Sequence, residues 1–331
     1  MTLALKRPLR MLLTALFLLL AGSQTPARSQ TCPEAPAPLT AEQMLAQREH
    51  SPDRGALWRL ERDGHRSYLF ASMHLGRPQW VLPGPLLRQA AAEVDTLVLE
   101  LNLSDPEVLQ ALIHPTGIAA PVELPKALAA RLDHAVRAAC LDPKALAPLH
   151  PLLQLSQLEM LQSRADGLDA QYGQEMTLMM MAQARQLRIR GLETAQDQLK
   201  ALLPEDRADV LREVREGLDQ LEKAQQRPAM RRLAEAWELG DLDTLARYEQ
   251  WCDCATTPED REAIRRLNDE RNPAMARRLG EMHREGGRLL VAVGALHMTG
   301  PQSLLSLLRR DGFLVEQLWP TPPKPLPSET H

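Results

Sequence analysis

Apolar and polar residues alternate along Ala56-Leu-Trp-Arg-Leu-Glu-Arg62, turn at Asp63-Gly64, and resume along Arg66-Ser-Tyr-Leu-Phe-Ala-Ser-Met-His74. Alternation on both sides of an Asp-Gly pair predicts a β-hairpin. Three later runs are short and mostly apolar instead: Thr96-Leu-Val-Leu-Glu-Leu101, Leu187-Arg-Ile-Arg-Gly-Leu-Glu193 and Arg288-Leu-Leu-Val-Ala-Val-Gly-Ala-Leu-His-Met298. The first and last read as strands buried on both faces, the middle one as a brief strand. Helical spacing over Leu86–Val94 places a helix between two strands, which implies a parallel crossover.

From about 105 to 285 the period is helical. Leu152–Leu161 and Gln174–Ala182 carry apolar stripes, and the methionine-rich second stripe reads as a core face. Segments 204–226 and 228–249 alternate in charge like solvated helices. A further helix runs through Leu267-Asn-Asp-Glu-Arg271-Asn-Pro-Ala-Met-Ala-Arg-Arg-Leu279, and the chain closes with a helix at 302–309 and a strand at 313–319. The pattern predicts an α/β fold: a mixed central sheet built from both ends of the chain, with a large inserted helical block at about 105–285.

The first thirty residues stand outside that pattern. Lys6, Arg7 and Arg10 precede the apolar run Met11–Gly22, and small residues follow at Ser23, Ala27 and Ser29. This is the order of a secretory signal peptide over 1–30, with a run too short to span a bilayer comfortably. The expectation is a periplasmic or secreted protein, with no stable membrane span once the signal is removed and one domain at 31–320. The Pro-rich 321–331 reads as a disordered tail. A formal net charge of −4 over 331 residues argues against nucleic acid as a partner. Four cysteines, Cys32, Cys140, Cys252 and Cys254, allow three pairings. A Cys252–Cys254 bridge closes a very tight ring, so pairing one of them with Cys140 is at least as plausible on the sequence. The sequence does not choose an oligomeric state.

Chemistry-bearing residues fall at strand ends: His74, Glu100, Glu193 and His297. In open sheets flanked by helices, ligands gather beyond the carboxyl ends of the strands. A carboxylate inside an apolar run, such as Glu100, needs a partner, either a buried arginine or a metal. Two imidazoles and a carboxylate suit a divalent metal with open positions; the same groups can also activate water directly, a carboxylate orienting a histidine base. Arg271 is placed to steady negative charge or, equally, to neutralise Glu100 or Glu193.

These residues stand in Phe70-Ala-Ser-Met-His74-Leu-Gly76, Leu97-Val-Leu-Glu100-Leu, Gly191-Leu-Glu193-Thr, Glu270-Arg271-Asn272 and Gly294-Ala-Leu-His297-Met-Thr-Gly300. In order and spacing they resemble the TraB/GumN family, which includes the TIKI metalloproteases, over about residues 50–320. The resemblance implies two Gly-x-x-His motifs; the second is intact here and Ala71 replaces the glycine of the first. It further implies a hydrolase acting on a peptide or small-molecule substrate, with manganese, cobalt or zinc held by His74, Glu100 and His297. Glu100, Glu193 and Arg271 are the candidate catalytic groups, Glu193 more as a supporting residue than a ligand. Two other readings stand beside this one: a non-catalytic periplasmic protein that binds a ligand or metal at the same rim, and an envelope interaction protein acting through its helical block.

Overall fold

The computed structural model describes residues 32–115 and 122–321. The signal-like segment and the Pro-rich tail, apart from Thr321, lie outside the described residues. Six strands form one sheet: β1 (Ala56–Arg62), β2 (His65–Ser72), β3 (Thr96–Leu99), β4 (Arg188–Gly191), β5 (Leu289–Gly294) and β6 (Leu314–Trp319), in the order β4-β3-β5-β2-β1-β6. β1 is antiparallel to both β2 and β6, whereas β2, β3, β4 and β5 pair in parallel. The mixed α/β architecture read from the sequence is therefore the one observed. β5 lies in the centre of the sheet, every residue from Leu289 to Val293 buried, as a strand covered on both faces must be. Its carboxyl end and those of β2, β3 and β4 emerge along one rim.

Two apolar clusters divide the interior. One surrounds the sheet and includes Phe70, Leu99, Leu192, Trp237, Met275 and Val291. The other lies among helices 106–113, 126–138, 151–162, 195–202 and 207–222 and includes Leu101, Leu155, Ala195, Leu218 and Leu267.

Two sequence expectations are corrected. The segment read as one helix at 228–249 is three, Arg227–Leu239, Leu242–Ala246 and Tyr248–Trp251, because Gly240 takes φ 67° and ends the first. The helix expected through 267–279 is likewise two, Pro258–Leu267 and Asn272–Arg284. Pro273 lacks a backbone N–H and starts the second helix rather than continuing the first, which leaves Arg271 at the junction. The methionine-rich helix Gln174–Arg185 does present a core face, as its stripe suggested: Leu178 and Ala182 lie in the sheet-side cluster and Met179 and Met181 pack against it, while Met180 is exposed and Gln174, Glu175 and Thr177 are buried as well.

The cysteines pair as Cys32–Cys140 and Cys252–Cys254. The first spans 108 positions and ties the lead-in to the helical block; a loop of that size removes roughly 4–5 kcal/mol of freedom from the unfolded chain in the chain-entropy account. The second spans two positions and restrains almost nothing beyond its own turn.

Candidate active site at the sheet rim

The polar rim sits on the seam between the two apolar clusters. Glu100 is flanked by Leu99 of the sheet cluster and Leu101 of the helical one; Glu193 follows Leu192 of the first and precedes Ala195 of the second; Arg271 lies between Leu267 of the helical cluster and Met275 of the sheet cluster. Charges in such a place are shielded from water and must satisfy one another.

They do so around Arg271, whose side chain is 4% exposed. Its Nη2 donates to Glu100 Oε2 at 2.6 Å and also to Glu193 Oε2, its Nε donates to Glu193 Oε1 at 2.9 Å, and its Nη1 donates to Leu267 O at 3.0 Å and faces His297 Nε2 at 3.4 Å. All five guanidinium N–H groups are thereby engaged. Of the two roles open to Arg271 on sequence grounds, the geometry matches neutralisation of Glu100 and Glu193; no N–H remains for a substrate oxyanion. Burial opposes the charge on Arg271, but Glu100 and Glu193 outweigh it and hold its pKa above the ordinary value. Burial also opposes ionisation of Glu100, yet Arg271, His297, His74 and the Gly294 N–H hold its carboxyl well below the usual range. For Glu193 burial wins over Arg271, and with the charge of Glu100 beside it the carboxyl is raised.

Glu100 Oε1 accepts the Gly294 N–H at 2.9 Å and lies 4.0 Å from His297 Nε2. A Cβ on Gly294 would stand 3.3 Å from that oxygen, so glycine permits the carboxylate to seat on the backbone. The equivalent need does not arise at Ala71. It is a buried strand residue with no positive φ, its carbonyl accepts Trp237 Nε1–H at 2.8 Å, and in the β2–β5 register it is Ser72 that stands opposite Gly294. Alanine in the first motif thus leaves the strand geometry intact.

His297 lies in a 3-10 turn, Ala295–Met298, directly after β5. Its Nδ1 is 2.6 Å from Asn272 Oδ1, and Asn272 Nδ2 donates to Gln302 O at 2.9 Å. That second bond orients the amide, so Nδ1 carries the proton and Nε2 presents a lone pair. Burial, with Arg271 and His74 adding to it against Glu100, pushes the His297 pKa down to about 3.

His74 follows β2, on the same rim. The backbone N–H of Gln174 donates to Met73 O at 2.9 Å, docking the start of helix Gln174–Arg185 beside it. Glu175 in the first turn of that helix puts Oε1 3.1 Å from His74 Nδ1, and Ser72 Oγ–H donates to the same oxygen at 2.5 Å. A carboxylate in a first turn is further favoured by the helix dipole. Burial by itself would lower the His74 pKa; Glu175, and behind it Glu100, overcome this and lift it to about 9. Both ring nitrogens are closed off from solvent, and neither has a well-aligned hydrogen bond within the described residues.

His74 and His297 line one cavity together with Ser72 and Asn268 and the apolar Met160, Met230, Leu233 and Trp237. Its free volume is about 40 Å³, room for a water or two in the structure as it stands. Among the described residues no group of three or more His, Cys, Asp or Glu side chains is arranged to hold a metal ion. His74, Glu100 and His297, the donors anticipated for a divalent ion, do not fit one as placed: an ion between Glu100 and His297 would have to displace a guanidinium that already satisfies both.

The rim therefore brings Glu100, Glu193, Arg271 and His297 into direct contact and sets His74 in the lining of the cavity that His297 also lines. Glu270 of the fourth motif is elsewhere, paired on the surface with Arg265 at 3.1 Å. Glu175, Asn272 and Ser72 were not singled out by sequence reasoning. Glu175 had one available signal, an acid in the first turn of an otherwise apolar stripe.

Residues 56–317, which contain every one of these side chains, match the family model described as the TraB/PrgY/gumN family. The chain belongs to that family. No curated protein and no solved structure matches it. Within this family member, the two histidine motifs are the ends of neighbouring parallel strands, β2 and β5.

Proposed function

We propose that this TraB/PrgY/gumN protein is an exported hydrolase whose working groups are His74 and His297, acting on a carbonyl substrate, a peptide or an ester, admitted to the cavity between them. The observation that carries the reading is the matched presentation of the two rings. Each has its Nδ1 turned to a side-chain oxygen, of Glu175 or of Asn272, and both rings line one water-sized space, with His297 Nε2 engaged there only by the long 3.4 Å contact from Arg271 Nη1. A ring whose far nitrogen faces a fixed side-chain oxygen, a carboxylate for His74 and an amide for His297, is oriented as a general acid–base group. In this reading the attacking water takes the place of the 3.4 Å Arg271 Nη1 contact at His297 Nε2, which accepts the water's proton, and His74, protonated beside Glu175, donates to the departing group. Glu100, Glu193 and Arg271 are positioning residues that fix His297 and exclude water from the seam. No step passes through a metal, because the donor set is closed by Arg271. Export is supported by the signal-like order of residues 1–30 and by two disulfides, which persist in oxidising compartments. No helix among the described residues is long and apolar enough to cross a membrane.

The test is turnover of a panel of nitrophenyl esters and fluorogenic peptides by the purified chain, with and without EDTA. Expected are activity that EDTA leaves unchanged and a loss of about 10²- to 10⁴-fold in His74→Gln and in His297→Gln, each verified as folded by circular dichroism. Activity abolished by EDTA and restored by manganese or cobalt would replace this mechanism with a metal-dependent one. Saturable binding of a panel member without turnover would make the rim a binding site.

A further inference from the structure

The Cys252–Cys254 bridge has no evident part in holding the fold. It closes a turn of two positions at the end of helix Tyr248–Trp251, where Cys252 N–H already bonds Tyr248 O at 3.0 Å. Little unfolded-state freedom is lost in so short a loop. Closure also coincides with an unfavourable backbone: Asp253, between the two cysteines, has φ 57°, a left-handed conformation that a residue with a Cβ adopts at a cost. The two sulfurs differ in setting. Cys252 is buried at 6% exposure against the sheet-side cluster, whereas Cys254 is only partly buried and follows an exposed Asp253. Cys252 Sγ further receives the Cys254 backbone N–H at 3.1 Å.

From this arrangement we propose that Cys252–Cys254 is a thiol-exchange site, which takes two electrons from an external dithiol and passes them on to an external disulfide by the reverse exchange, separate from the hydrolytic rim. A thiolate of the dithiol attacks Cys254 Sγ, the more accessible sulfur; the new S–S bond forms as the Cys252–Cys254 bond breaks, and Cys252 leaves with the electron pair. Its thiolate is received by the Cys254 N–H. The second thiol of the dithiol, having lost its proton to solvent, then attacks its own sulfur in the mixed disulfide and expels Cys254 as thiolate. The dithiol ends as a cyclic disulfide, and both cysteines take up protons. Opening the ring frees Asp253 to leave the left-handed region, which favours the reduced form. Cys32–Cys140, with its 108-position span, is the reference within the same molecule.

The experiment equilibrates the full chain in buffers of reduced and oxidised dithiothreitol, quenches by alkylation, and counts labelled cysteines by peptide mass spectrometry. Cys252 and Cys254 are expected to be reduced together at a reduced-to-oxidised ratio at least tenfold lower than Cys32–Cys140 requires, with far-ultraviolet circular dichroism unchanged. Asp253→Gly, which removes the cost of positive φ, is expected to make the pair about fivefold harder to reduce. In Cys252→Ser, oxidised glutathione is expected to form a mixed disulfide at Cys254. The proposal is overturned if Cys252–Cys254 is still closed when Cys32–Cys140 has opened, or if the pair opens only together with loss of the far-ultraviolet signal. The wild-type titration decides alone should Asp253→Gly fail to fold.

Discussion

His74 and His297 leave adjacent parallel strands on the same rim and wall the same cavity, yet their surroundings drive them to opposite proton states. The partner of Nδ1 makes the difference. His74 faces the carboxylate of Glu175, which outweighs burial and holds the pKa near 9. His297 faces the neutral amide of Asn272 and the charge of Arg271, so burial prevails and the pKa falls to about 3. A sequence motif repeated at two strand ends is thus not a repeated electrostatic setting: side chains from helices Gln174–Arg185 and Asn272–Arg284 decide the proton state of each histidine.

The largest expected effect comes from removing the residue that keeps the His297 side of the seam together. Arg271→Met leaves Glu100 and Glu193 without their shared cation in a site closed to water. A loss of about 3–5 kcal/mol in urea unfolding is expected, the range for breaking a buried ion pair from one side. A loss under about 1 kcal/mol would show that water reaches the seam and that Arg271 does not govern it.

Exchanging the Nδ1 partners should next exchange the proton states. Glu175→Gln leaves burial opposed only by more distant charge, and the His74 pKa is expected to drop from about 9 to below the ordinary 6.5. Asn272→Asp gives His297 a carboxylate and is expected to raise its pKa by about 1–3 units. Histidine nuclear magnetic resonance titrations read both. Stability follows with opposite signs. A pKa of about 9 in the folded chain, above the unfolded value, makes the His74 contribution complete below pH 6.5 and progressively lost up to about pH 9. A pKa of about 3 makes the His297 contribution complete above pH 6.5 and lost as pH falls toward 3. Glu175→Gln should therefore flatten the alkaline side of the stability profile and His297→Gln the acid side. An alkaline flank left unchanged in Glu175→Gln, or altered in His297→Gln, would refute the division; the acid flank of Glu175→Gln also changes, because the lowered carboxyl of Glu175 is lost with it.

How far the sequence reveals this contrast depends on what each residue needs in order to be recognised. The strands were legible because a strand buried on both faces must be continuously apolar, and His74, Glu100 and His297 were conspicuous as polar breaks at the ends of such runs. Glu193 and Arg271 were legible as charges near those ends. Glu175 was not, because a helix seen as a stripe of Leu and Met hides the one carboxylate that faces inward. Nor was the role of Asn272, although it stands next to Arg271: a neutral amide acts only by the atom it points at a neighbour, and that depends on Gln302, thirty positions away. The cysteine pairing was open for a related reason, since a tight ring is recognised only when the turn at Asp253 is seen to permit it.

The smallest expected effect separates the support of His74 from its partner. Ser72 stands opposite Gly294 in the register, and its hydroxyl donates to the Glu175 oxygen that faces His74. Ser72→Ala removes one hydrogen bond to a charged acceptor and is expected to cost about 1.5–3 kcal/mol if the oxygen stays dry, and well under that if a water from the cavity takes the vacated place. The carboxylate remains in both cases, so the His74 pKa should stay above the ordinary value while hydrolysis declines less than in His74→Gln. A fall of the His74 pKa to the ordinary value in Ser72→Ala would mean that the hydroxyl, rather than the charge of Glu175, sets the proton state. The contrast between the two histidines would then rest on how the carboxylate is aimed and not on its presence.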